Sequence, residues 1–456
     1  MKKVLSVLMV CFMIGSFLVG CGEKEKKNPS TENNSGEAST SNKDDKDPVK
    51  LIVWGGVPGE SGPQDLVDAW NASHPEIQVE YVRFVNDDTG NTKLDTAILS
   101  GEQIDLFFTY GVDLMKKRVD SGMLENLDTD EITAFIKEHI AGEGDGMVRI
   151  DGGLYAIPTV REPYGIMLNK GMLDEAGITI PDNWTVEEFM DIAKQLTTEK
   201  DGKKVYGASI VIQGGLPLDI SQAVLGGDHF YKASGDESNF DDETFKANAK
   251  LKELMDAGAA MPYEEVFSRK LDTYAHPAYL GSEIAMTHFS AWMLRYVKDL
   301  ENYPHDFVTT FATFPTTEKG VANNYQAFLN NFICMNSKSA HKEEAMAFMK
   351  YWLTEGSKYM YKAGKMSVWK EADPEEATKA ILGDNAEQLF DVEAYKKVMF
   401  NPDSQYIIDT VTVAYPQLLE VYKEESEMYF LNNTTLEEYL SNTKKRADQE
   451  IKKALK

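Results

Sequence analysis

Apolar positions along the chain alternate between two periods, and the alternation repeats. Lys50-Leu51-Ile52-Val53-Trp54 is a short β-rich run stopped by Gly55-Gly56, after which Pro63 opens a helix with Leu66, Val67 and Trp70 on one face. Ile77, Val79, Tyr81 and Phe84 mark a second extended segment, Leu94, Ile98 and Leu99 a helix ending at Gly101, and Asp105-Leu106-Phe107-Phe108 a third strand. The order β-α-β-α-β predicts a mostly parallel sheet with right-handed crossovers, whose ligands sit beyond the carboxyl ends of the strands. Further on, Trp184-Thr185-Val186-Glu187-Glu188-Phe189 predicts a helix start: Thr185 is the N-cap, Glu188 closes a capping box, and Trp184 packs on Phe189. A strand at Val205 to Val211, a helix near Phe245 to Asp256 and a strand at Ile284-Ala285-Met286 continue the α/β alternation. Phe348, Met349 and Trp352 face inward from a helix over Glu343 to Leu353, and the chain beyond Glu371 is largely helical. Trp70, Trp184 and Trp352 are therefore packing residues.

The first residues carry a different pattern. Met1-Lys2-Lys3 precedes an uncharged apolar stretch from Val4 to Val19, and Leu18-Val19-Gly20-Cys21 follows. The stretch is shorter than the roughly 20 residues a permanent membrane helix requires. Basic residues, then an apolar run, then small residues before a cysteine predict a signal peptide over 1–20 that is removed to leave a lipid-bearing Cys21. From there to residue 48 the chain is Glu, Lys, Asn, Ser, Thr and Asp with no aliphatic side chain larger than alanine, a composition that predicts a flexible tether.

Of 456 residues, those from Val49 onward exceed one comfortable core and predict two lobes. The formal net charge is −27, and no basic cluster interleaved with aromatics occurs in the body, which argues against nucleic acid as a partner. Of three cysteines, Cys11 leaves with the signal and Cys21 takes lipid, so Cys334 stands alone in an apolar run as a small buried hydrophobe. The seven histidines are far apart in sequence and form no metal signature, and neither a Gly-x-Ser-x-Gly elbow nor a Walker-type loop is present. No metal, cofactor or catalytic residue is assigned. Asp87-Asp88-Thr89-Gly90 lacks the alternating oxygen ligands of a calcium loop and is read as a solvated turn.

Several segments, taken in order, resemble the extracellular solute-binding proteins of sugar transporters, the family that includes the maltose-binding protein. They are Ile98-Leu99-Ser100-Gly101-Glu102-Gln103-Ile104-Asp105-Leu106, Gly122-Met123-Leu124-Glu125-Asn126-Leu127, Leu154-Tyr155-Ala156-Ile157-Pro158, Leu168-Asn169-Lys170, and Glu283-Ile284-Ala285-Met286 with Trp292. The resemblance implies a two-lobed, type 2 periplasmic-binding-protein-like α/β fold, each lobe a mixed sheet flanked by helices, with a hinge between. It places the first lobe at 49–160 plus 332–366 and the second at 163–328 plus 367–456.

By the same resemblance Glu162 falls where the family has a carboxylate that accepts hydrogen bonds from sugar hydroxyls, and Tyr164 where many relatives place an aromatic. Arg161 departs from the pattern. It either grips vicinal hydroxyls or an acidic group of the ligand, or pairs with Glu162 to serve only the hinge. Trp292 stands where the family stacks an indole on a sugar ring, with a core tryptophan as the alternative. Trp54, Gly55 and Tyr110 at strand ends, Trp369 after Met366-Ser367-Val368, and Gln213 before Gly214-Gly215 are further candidates. Relatives usually carry small residues at Asn330-Asn331, so added amide hydrogen bonds are expected there.

The implied activity is capture of a carbohydrate, an oligosaccharide, and its delivery to the permease subunits of an ABC importer. A monomer held by lipid to the outer face of a Gram-positive cell membrane is expected. Two alternatives compete: a secreted carbohydrate-active enzyme, to which the abundance of carboxylates lends no specific support, and a surface lipoprotein without transport function or a partner of a sensor.

Overall fold

The computed structural model describes residues 47–141, 147–200, 202–211, 215–271, 275–401 and 403–456. The expected signal peptide, nearly all of the tether, Cys21 and Gln213 lie outside the described residues.

The described strands are β1 Val49–Gly55, β2 Ile77–Arg83, β3 Leu106–Thr109, β4 Ala156–Asn169, β5 Thr198–Lys200, β6 Lys203–Ala208, β7 Ile284–Ser290, β8 Thr309–Ala312, β9 Tyr325–Met335, β10 Met366–Ser367 and β11 Gln405–Ile407. Hydrogen-bonded neighbours run β2-β1-β3-β9-β4-β7-β6-β5. β1 pairs parallel with β2 and β3, as the opening β-α-β-α-β pattern predicts, while β9 lies antiparallel to β3 and β4. Successive residues feed opposite cores, because strand side chains alternate. Leu51, Val53, Leu106 and Phe108 enter one cluster with Trp70, Phe348 and Trp352. Trp54 and Phe107 enter the other with Phe84, Phe332 and Cys334. The second lobe repeats the plan: Ile166 and Leu168 face a core shared with the terminal helices Tyr415–Phe430 and Leu436–Ala454, and Met167 faces one shared with the helix Val392–Met399.

β4 joins the lobes. Its first part, Ala156 to Pro163, pairs with β9, and its second, Tyr164 to Asn169, pairs with β7 and β8. Pro163 has no N–H to give a ladder and is the last residue paired to β9. β9 kinks at the same crossing. Asn331 adopts a left-handed φ of 52°, a conformation Asn tolerates better than branched residues, and Thr159 Oγ1 donates to its carbonyl at 2.8 Å.

Local signals hold at several helix starts. Thr185 and Glu188 form the reciprocal capping box, and Trp184 is buried edge-on to Phe189 at 5.5 Å with its indole N–H donating to Thr313 O. Three expectations are corrected. Asp87 is the N-cap of the helix Asp88–Ser100 and accepts from Gly90 N, a local bond that a turn and a helix start share. The helix expected near Phe245 to Asp256 is two, Glu243–Ala249 and Lys252–Asp256, and the strand expected to reach Val211 ends at Ala208. Val368 packs in the first-lobe core and Lys370 N donates to His139 O. Among the described residues no helix is long and apolar enough to cross a membrane.

Candidate functional site

The junction of the lobes is built on the middle of β4. Residues of even number there share one face, so Glu162 and Tyr164 point together and Arg161 points away. Glu162 is only 2% exposed and both its oxygens are engaged. Oε1 forms an ion pair with Lys365 Nζ, and Oε2 accepts from Asn330 Nδ2 at 3.1 Å and Tyr164 Oη at 3.2 Å. Three passes of chain meet at this carboxylate: β4, β9 and the turn before β10. A buried ion pair of this kind offsets its desolvation only when hydrogen bonds satisfy the remaining lone pairs, as the amide and phenol do here. Tyr110 lies close enough for the Glu162 charge to add to burial in raising its phenol pKa, and its Oη accepts from Gly56 N at 2.6 Å.

Trp292 is brought to this group by backbone contact. It follows β7, whose last residue Ser290 pairs with Tyr164. Gly364, immediately before Lys365, has φ 75°, and a Cβ there would lie 2.3 Å from Ala291 O and 3.3 Å from Trp292 Cα. Only glycine lets the Lys365 turn press so closely on the tryptophan segment. The indole is half-buried beside His276, Arg295 and Tyr296. Burial, helped by Arg295 and His288, pushes His276 down to about 4, and burial does the same to His288.

Arg161 and Glu162 do not pair; the acid is held by Lys365 instead. The Arg161 guanidinium lies over the Phe400 ring at 5.6 Å on the opposite face of β4 and has no carboxylate partner among the described residues. The expected pair of Arg161 with Glu162 is corrected by that placement. Trp54 is 8% exposed within the first-lobe core under Lys93 and is not brought to the Glu162 group. Gly55 makes room for Tyr81, whose Oη would lie 2.4 Å from a Cβ at that position. Asn330 supplies the expected amide bond, whereas Asn331 contributes its backbone shape and accepts Thr159 through its carbonyl. Trp369 is half-buried against Ile140 through an isolated bridge, with its backbone N–H on Ser367 Oγ. Lys365 and Arg295 were missed. Lys365 is 203 residues from its acid and carries no local signal, while Arg295 stands one helical turn past Trp292 and was open to detection.

The junction gathers donors and a carboxylate at the crossing, and the backbone of a half-buried indole, Trp292, lies against the Lys365 turn. These are the elements that hold a polyhydroxylated molecule, the ring covering its C–H patch and the polar groups its hydroxyls. Among the described residues no group of three or more His, Cys, Asp or Glu could hold a metal ion.

Residues 56–359 match the family described as bacterial extracellular solute-binding protein. The chain is similar to an uncharacterized lipoprotein in the oleD 5'region of Streptomyces antibioticus, at 24% identity over 64% of this chain and 63% of that one. It is also similar to the multiple sugar-binding protein of Streptococcus mutans, at 22% identity over 63% of this chain and 67% of that one. The chain thus spans about two thirds of the length of these curated relatives. Among solved structures, the GacH receptor of Streptomyces glaucescens, described unliganded and in complex with acarbose, shares the fold with a TM-score of 0.67 at 18% identity, over 89% of this chain and 99% of that one.

Proposed function

Because the chain belongs to the bacterial extracellular solute-binding proteins, we propose that it captures an oligosaccharide between its two lobes and passes it to the membrane-spanning subunits of an ABC importer. The observation that carries this reading is the meeting of Glu162, Lys365, Tyr164 and Asn330 where the chain crosses between lobes, with Trp292 against the same turn. Trp292 is the stacking platform in this proposal, and Asn330, Tyr164 and Glu162 form its polar wall. Tyr110 and the segment bearing Trp369 complete the lining. The lobes close because contacts made to both at once favour the closed form, and the importer recognises that form. The sugar-binding relative and the acarbose-bound structural neighbour support the ligand class. The protein acts as a monomer tethered through a lipidated Cys21 on the outer face of a Gram-positive cell membrane.

Titrating the purified chain calorimetrically with a panel of oligosaccharides, and recovering each ligand afterwards by chromatography, tests the reading. Saturable one-to-one binding with ligand returned intact is the expected result. Shortened ligand would mean an enzyme, and silence across the panel would sink carbohydrate capture. Replacing Cys21 with Ala should release the protein from membranes into the medium; retention on membranes would overturn the anchor.

A further inference from the structure

The arginines of this chain divide sharply. Arg118, Arg149, Arg269 and Arg446 are each ion-paired, and Arg83 is exposed to solvent. Arg161 and Arg295 alone are half-buried with no carboxylate partner among the described residues. In a chain with 74 acidic and 47 basic residues, a sheltered guanidinium without an acid calls for a physical reason. Arg161 has one in its position over Phe400, away from the Glu162 face. Arg295 lies beside Trp292.

Arg295 is held in a pile of rings. His276 stacks on Tyr296 at 4.0 Å and 10°, and the Arg295 guanidinium lies 4.8 Å from the Tyr296 centroid and donates Nη2 to its Oη at 3.0 Å. Trp292 stands 5.7 Å from His276, 5.9 Å from Tyr296 and 5.7 Å from the guanidinium, and it is perpendicular to both rings. Near-equal distances to the stacked pair place the indole alongside the stack rather than on top of it. Tyr296 therefore fixes the guanidinium next to the indole while occupying one of its several N–H donors, and a fork so oriented loses little freedom on meeting a planar anion. Glu162, the buried acid of the junction, is itself paired with Lys365.

We propose that Arg295 selects saccharides that carry a carboxylate, so that the ligand contains a uronic acid whose pyranose ring lies on Trp292 and whose carboxylate takes the free donors of Arg295. The proposal rests on the carbohydrate reading above and names its substrate class. Arg295 is the specificity-determining residue, and His276 and Tyr296 position it.

The test uses matched pairs: oligogalacturonate, oligomannuronate and oligoglucuronate trimers, each against its carboxyl-reduced neutral form, with maltotriose as an unrelated neutral probe. Calorimetry on the full chain should show at least one acid bound about 10- to 100-fold more tightly than its neutral partner, as a sheltered charge-assisted hydrogen bond implies. Arg295→Gln should abolish that difference and leave the neutral form within about 3-fold, while Arg295→Lys, which keeps the charge and loses the fork, should fall between. Thermal melts of both variants report whether the fold is intact, and the acid-to-neutral ratio is unaffected by a general loss of folded protein. Equal affinity within every pair, or an Arg295→Gln variant that weakens both members alike, would overturn the proposal. Binding of maltotriose with no uronate bound also overturns it and leaves carbohydrate capture standing, whereas no binding of any saccharide removes both.

Discussion

Arg118 in the first lobe and His288 in the second are both buried, at 1% and 5% exposure, yet their surroundings differ in kind. Arg118 spends its donors within its own lobe: Nε on Asp95 at 2.7 Å, Nη1 on Thr109 at 2.8 Å and Nη2 on Asn91 at 2.9 Å. In the second lobe His288 Nδ1, Asp219 Oδ2 and Tyr395 Oη meet no hydrogen-bond partner among the described residues. Burial pushes His288 down and Asp219 well up from their ordinary values, so each favours its uncharged form. Arg118 is thus a buried charge that is paired, whereas His288 and Asp219 are buried ionisable groups that are neutralised. Between them stands the Glu162 group, charged and satisfied, but by residues from three passes of the chain. A platform satisfied from within is insensitive to its surroundings, whereas groups kept neutral by burial report changes in pH or packing around them.

The largest test of this contrast is at the crossing. Glu162→Ala strands the buried Lys365 without its acid and should cost about 3–5 kcal/mol in urea unfolding. The double change Glu162→Leu with Lys365→Met should recover much of that loss, because neither member is then left unpaired. A single variant that costs under about 1 kcal/mol would mean that Lys365 reaches water and the crossing is not a sealed pair. Trp54→Ala should cost a similar amount, about 3–5 kcal/mol, for a different reason, since it opens a cavity in the first-lobe core. It should leave ligand affinity unchanged.

Acid should then separate the lobes. His288 has its native pKa lowered from 6.5 to about 4 by burial. Between those values the unfolded chain binds the proton and the native chain does not. Stability contributed by the neutral imidazole is therefore fully present above pH 6.5, falls as pH drops, and levels off below about 4. The loss across that window is about 3 kcal/mol, and His288→Phe should remove the part that belongs to this residue. Hydrogen exchange followed from pH 7 to pH 4 should show amides of β7 opening before those of β1 and β3. Uniform opening of both sheets would contradict the assigned contrast.

How much of this was readable from the residues depends on the range over which each feature acts. The opening β-α-β-α-β order, the Thr185–Glu188 box and the inward faces of Trp70 and Trp352 are set by neighbours within a few positions, and the chain spells them out. The opposition of Arg161 to Glu162 was also available, since adjacent strand residues must point apart, and reading them as partners overlooked that parity. Lys365 could not be read. Its role comes from the return of the chain to β4 after 203 residues, and nothing around Gly364-Lys365-Met366 marks a buried cation. Asn331 was readable as unusual but not as left-handed, because the same amide suits a side-chain hydrogen bond and a strained backbone equally well. Trp54 and Trp292 both follow or end strands, and only the packing of each separates a core ring from a half-buried one.

That last pair gives the smallest and most discriminating prediction. Trp292 is half-buried and packs at the rim of the second-lobe cluster, so removing its ring opens less sealed volume than removing Trp54 does. Trp292→Ala should therefore lower the melting midpoint little while weakening the bound oligosaccharide by about 1–3 kcal/mol, the loss expected of one stacking platform. Trp292→Phe should keep part of the affinity, since a smaller flat face still covers part of a pyranose. The two tryptophans then form a crossed pair of variants, one losing stability and keeping ligand, the other keeping stability and losing ligand. If calorimetry found the affinity of Trp292→Ala unchanged, the indole would be a packing residue like Trp54, and the platform would have to be sought among the other aromatic rings at the junction.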